Sequence, residues 1–319
     1  MGLSATFDPV RNPLMTGPDQ HLAAQQRAVQ ELGALRAEID AVDSQLHDLL
    51  MRRTELAVRV GEVKAKVQPL GGTPADGAKF IRPAREALIL RRLVARHQGK
   101  LPKAVILRMW REMISALLQV EGPFVVAVQA PKGDTALWDL ARDHYGSRVR
   151  ITPLADTKAV LAAVNKGKAT VGILPMPAAG ERAPWWPALD EAGGKTPHVM
   201  GRLPFGDIGN VRDPKAEAIV IGRAPNEPTG EDRTWLALHM KAAKPRRAVL
   251  AAAKVLGPDP RLTLERARGR EWLLDIAGFA GDLEDELGRL SRALDAEIRV
   301  LGSYAVPLTK ALLAEAARR

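Results

Sequence analysis

From Val29 to Lys66 the sequence contains no helix breaker except Gly61, which lies near the end of the run. Apolar residues recur at Leu32, Leu35, Ile39, Val42, Leu46, Leu49, Leu50, Leu56, Val60 and Val63, close to the spacing of one helical face. At about 1.5 Å per residue such a helix runs over roughly 50 Å. It cannot bury its own apolar stripe, so this stretch demands a partner helix or a second subunit.

The residues after it complete a helical unit. Gln68–Gly77 (QPLGGTPADG) is a breaker-rich loop. Pro83 suits the first turn of a second helix, where its missing N–H costs nothing, and that helix is predicted over Pro83–His97. QGKLP forms the next turn. A third helix is predicted over Lys103–Val120, ended by Gly122-Pro123. The Pro, Gly and Asp content before the long helix predicts a disordered tail over residues 1–27, with no signal-peptide hydrophobic region.

At Phe124 the period changes. FVVAVQA, RVRITPL, ATVGILPM and AEAIVIG read as strands, with helices at TALWDLARDHYG and DTKAVLAAVNKG, which is an α/β pattern. Between PMPAAGERAPWWP and about Asp213 no clear period survives. From about residue 229 the order is strand, helix, strand, strand, helix, strand, the ferredoxin-like arrangement. The expected organisation is multidomain: an all-α unit over 28–122, an α/β domain over 123–228, an α+β ferredoxin-like domain over 229–312, and a tail over 313–319.

Within the helical unit, cations interrupt apolar faces. Arg53 and Lys64 are eleven apart, so at about 100° per residue they share a face. A buried cation needs an anion. Arg36 precedes Arg53 by seventeen and points about a quarter turn away, so it suits an anion held by a neighbouring chain. Ser115 and Gln119, four apart, present hydrogen-bonding groups on one face of the third helix. Arg85 and Glu86 open the second. A structural account competes for each residue taken singly: Arg53 and Lys64 can snorkel or pair with Asp48, Glu55 or Glu62.

Taken together, Arg36, Arg53, Lys64, Arg85-Glu86 and Ser115-x-x-x-Gln119 resemble the all-helical chorismate mutase family, over residues 32–121, as does the run LRxEIDxxDxxLxxLLxxRxxLAxxVGxxK. The resemblance implies an intertwined homodimer that rearranges chorismate to prephenate in aromatic amino acid biosynthesis, without metal or cofactor. By the same resemblance, Arg36 (from the partner chain) and Arg53 hold the carboxylates, Lys64 and Gln119 aim donors at the breaking ether oxygen, Glu86 accepts from the ring hydroxyl, Ser115 donates to the ring carboxylate, and Arg85 orders Glu86. Arg82 stands where some members carry Asp, a change expected to tune binding. With Gln at 119, a rate nearly flat between about pH 5 and 8 is expected, because that contact does not titrate.

Residues 124–308 resemble, more weakly, the prephenate dehydratase module with its ACT regulatory domain, in the phrases ADTKAVLAAVNKGKATVGILPM, AIVIG and RVLGSYAVPL. The departures are specific. APKGDTALW stands for the family's GPxGT(Y/F)S, Met176-Pro177 for its Glu-Asn pair, and Ala216-Glu217-Ala218 for its Thr-Arg-Phe strand. KPRRAVL and Glu265–Arg268 replace the effector-binding phrases. The implied module has lost its dehydratase residues.

Composition sets the alternatives. A net charge of +10 favours anionic partners, but the 47 Lys and Arg are spread along the chain, so nucleic acid is not expected. No cysteine is present, which excludes thiolate metal sites and fits a cytoplasmic setting. No apolar run is long enough for a membrane span. The competing readings are a bifunctional mutase–dehydratase with a divergent second site, and a non-catalytic basic binding protein. The pair Trp185-Trp186 reads as a buried loop anchor in preference to a contact surface.

Overall fold

The computed structural model describes residues 17–67, 80–190, 196–206, 209, 211–258 and 260–314. The chain divides into two compact units, residues 1–56 and 57–319. Helix α1 (Gly17–Val67, 51 residues) crosses that boundary. Its first eleven residues were expected as tail; the tail's residues 1–16 and the loop Gln68–Gly77 lie outside the described residues. The stripe on α1 is uncovered: Ile39 is 58% exposed and Leu49 62%.

In the second unit α2 (Pro83–Arg96) and α3 (Lys103–Glu121) follow within a residue or two of their expected bounds. Pro83 stands in the first turn of α2, and α3 ends at Gly122. The α/β part then runs β1 (Val125–Gln129), α4 (Ala136–Tyr145), β2 (Arg150–Leu154), α5 (Thr157–Asn165), β3 (Val171–Pro175), β4 (His198–Leu203) and β5 (Ala218–Gly222). The last part comprises β6 (Asp232–Met240), α6 (Arg246–Ala253), β7 (Leu262–Arg266), β8 (Glu271–Ala277), α7 (Glu284–Leu294), β9 (Ala296–Ala305) and a short α8 (Lys310–Ala314). Asp156 caps α5 by accepting from the Ala159 N–H at 2.8 Å, one of the orphan donors of a helix start.

All nine described strands form one sheet, ordered β2-β1-β3-β5-β4-β9-β6-β8-β7. Strands β1, β2 and β3 pair in parallel through the crossover helices α4 and α5, whereas β5 pairs antiparallel with β3 and β4. The β9-β6-β8-β7 half places its fourth, first, third and second strands side by side, all antiparallel, which is the ferredoxin-like order. The two halves, expected as separate domains, join where β4 and β9 run parallel at Val199 and Gly302. Gly302 has φ +127°, and a Cβ there would collide with the Val199 backbone.

The helical unit shares a core with the α/β part. Ile81 and Leu118 pack with Phe124, Val126, Leu140, Tyr145 and Met200 in one buried cluster. Arg91 on α2 donates to the Thr229 hydroxyl at 2.9 Å and to the Glu231 and Val306 carbonyls at 2.8 Å each. Trp185 and Trp186 are buried, and the Trp185 indole donates to the Pro175 carbonyl at 3.1 Å, as expected of a loop anchor. Asp275, fully buried, accepts from Arg233 at 2.8 Å and from the Tyr304 hydroxyl at 2.7 Å.

Candidate active site

The helix positions bring part of the expected set together. Glu86 lies in the first turn of α2, where a carboxyl group suits the partial positive charge of the helix start. Ser115 lies on the buried face of α3. Both line one cavity that opens to solvent. Its walls are Ile81, Leu90, Ile114, Met200, Leu203, Phe205 and Val220, and its other polar groups are Arg111, His144, Tyr145 and Arg202.

Electrostatics follow from burial. Desolvation raises the Glu86 carboxyl from 4.5 to about 7, against the pull of Arg111 and with a smaller push from Glu121. Burial lowers Arg111 to about 10, so it stays charged at neutral pH. Burial also raises Tyr145, which remains a neutral donor.

Lys64 lies beside this group. Its ammonium donates to the Glu121 carboxylate at 3.0 Å and to the Phe80 carbonyl at 3.4 Å, and stands 5.1 Å from the Phe80 ring centre. The anion expected opposite Lys64 is therefore Glu121, on α3, and not an acidic neighbour on its own helix. Gln119 is exposed, as is Arg85. Arg82 precedes α2 and donates to Glu227 at 3.3 Å. Arg36, exposed, and Arg53, partly buried, belong to the first unit and are described apart from the rest.

Sequence reasoning passed over Arg111, Glu121, His144 and Tyr145. Arg111 was within reach of the i,i+4 rule, since it precedes Ser115 by four as Gln119 follows it by four. His144 and Tyr145 reach the cavity only through tertiary packing of α4 on α3, which leaves no local signal.

The family model described as "Chorismate mutase type II" matches residues 35–122, the three helices that carry these groups. This helical region is a chorismate mutase type II domain. The chain is 34% identical over 146 residues to a bifunctional chorismate mutase/prephenate dehydratase of Pseudomonas aeruginosa, covering 46% of this chain and 39% of the relative. A protein of the same description from Aquifex aeolicus is 30% identical over 152 residues, again covering 39% of the relative. The chain thus matches about two fifths of the length of these relatives. A solved prephenate dehydratase from Streptococcus mutans aligns over 58% of this chain and 99% of its own, at 16% identity and a TM-score of 0.43. The mutase match ends at 122, so it contains Glu86, Arg111, Ser115 and Glu121, and stops short of α4.

Proposed function

We propose that this chain catalyses the rearrangement of chorismate to prephenate, in the pocket that Glu86 and Ser115 line. The carrying observation is that two groups from different helices, 29 residues apart, face one apolar cavity inside the matched mutase region. The reaction is unimolecular, so catalysis consists of holding a flexible dicarboxylate in its reactive shape and stabilising charge on the departing ether oxygen. Arg36 and Arg53 take the carboxylates by two-point hydrogen bonds, Lys64 and Gln119 serve the ether oxygen, Ser115 donates to the ring carboxylate, Glu86 accepts from the ring hydroxyl, and Arg85 and Arg82 tune the charge around them. Lys64 must leave Glu121 or share it with substrate.

A homodimer belongs to this reading, with Arg36 supplied by the partner chain. Its support is the uncovered stripe from Leu32 to Val63 on α1. The ferredoxin-like strand order supports an ACT-like character for residues 229–312. A cytoplasmic setting is the natural one for such an enzyme. No described helix is long and apolar enough to cross a membrane.

The relatives' printed names favour a second reading, mutase plus dehydratase. Against it, Glu217 stands where a substrate-holding cation is expected and instead ion-pairs with Arg202 at 2.8 Å. Product analysis after incubation with chorismate decides. Prephenate as sole product supports a mutase without dehydratase, phenylpyruvate supports the bifunctional reading, and unchanged chorismate refutes both.

A further inference from the structure

The cavity holds a cation with one donor that no described residue satisfies. Arg111 lies one turn before Ser115 on α3 and lines the same cavity. Its Nη1 meets Nδ1 of His144, and its guanidinium carbon lies 5.3 Å from the Phe205 ring centre. Its Nη2 is buried with no hydrogen-bond partner. Asp143 and Glu86 favour its charge electrostatically, but a buried charged donor with no hydrogen-bond acceptor is still costly. The Glu86 carboxyl and the Ser115 and Tyr145 hydroxyls also lack side-chain hydrogen bonds among the described residues. The site therefore offers unmet donors beside a hydroxyl acceptor, between apolar walls.

We propose that Arg111 is a further carboxylate-binding arginine of the mutase pocket, taking the ring carboxylate of chorismate together with Ser115, and that His144 positions it. This rests on the mutase reading above. The guanidinium is planar and donates in a fixed fork. With Nη1 held by His144 and the guanidinium over the Phe205 ring, its free edge has a single orientation. His144 accepts at Nδ1, so the neutral ring is the form that holds Arg111. Both His144 and Phe205 come from beyond the mutase domain, as do Tyr145 and Arg202, which line the same cavity. The α/β part is thus a wall of the catalytic pocket, which gives it a role whatever its own chemistry.

The test uses the full chain with two substrates, chorismate and its methyl ester at the ring carboxylate, and reads the ratio of their kcat/KM values. The ester keeps the shape and removes the charge. Arg111→Met should reduce the wild-type ratio about ten- to hundred-fold, the range for a hydrogen bond to a charged group, mainly through the KM of chorismate. Arg111→Lys should restore part of it. A merely structural arginine would change both substrates alike and leave the ratio intact, which overturns the inference. If Arg111→Met does not fold, as judged by its melting, His144→Phe decides, because it keeps the ring against Tyr145 and removes the acceptor. A several-fold lower ratio supports the positioning role, and an unchanged ratio overturns it. A wild-type chain inert toward chorismate refutes the mutase reading and this inference with it, whereas an active wild type with an insensitive ratio refutes the inference alone.

Discussion

The carboxyl of Glu86 faces Arg111 and Glu121 from α3 and Tyr145 from α4, with His144 and Arg202 on the same cavity. Its pKa is raised from 4.5 to about 7, so the folded state holds the proton where the unfolded chain has released it. The contribution to stability is therefore fully present below about pH 4.5 and is lost as pH rises through about 7. Glu86→Gln removes this dependence. The difference in melting temperature between variant and wild type should widen in the variant's favour from pH 4.5 to 7, and a constant difference would contradict the assignment. The same titration modifies the flat rate profile expected from Gln119. Ionised Glu86 repels a dianion, so the KM of chorismate should rise above about pH 7 in the wild type and not in Glu86→Gln. A second residue is decisive for stability alone. Asp275 is 0% exposed and anchors Arg233 and Tyr304. Asp275→Ala strands a buried cation and should cost about 3–5 kcal/mol in denaturant unfolding.

At the scale of elements, the uncovered face of α1 carries the next prediction. If the proposed dimer forms through this stripe, Leu46→Glu, in its middle, should shift the chain toward monomer in sedimentation and lower turnover together, because the proposed reach of Arg36 into a partner's pocket is then lost. A variant that stays dimeric would refute α1 as the interface. Most elements were legible because their periods are unmixed. Helices α2 and α3 carry start and stop residues at Pro83 and Gly122, and the strands of the ferredoxin-like half read as near-continuous buried runs such as TWLALHM and EWLLDIA. Strand β4 was not legible. HVMGRL has Gly201 in its interior, and its pairing with β5 shifts between Val199 and Gly201, so no two-residue alternation survives. The site was half legible for a similar reason. Glu86 and Ser115 carry a local spacing, while the meeting of Lys64 with Glu121, 57 residues away, is written only in the tertiary contact between the last turns of α1 and α3.

At the scale of the molecule, the sheet is continuous from β2 to β7, and the only direct β4–β9 register is Val199 with Gly302. Gly302→Val should therefore separate unfolding of the two halves, seen as a second calorimetric transition. A single transition at an unchanged temperature would show that the close approach is dispensable. This continuity also places α2, α3, the α/β wall and the ferredoxin-like half in one compact unit. The most direct measurement is the initial rate of chorismate loss, followed by its absorbance, for the full chain and for Lys64→Ala. The account predicts wild-type turnover, with kcat reduced about 10²–10³-fold in the variant. An inert wild type, or a Lys64→Ala chain as fast as wild type, would contradict it.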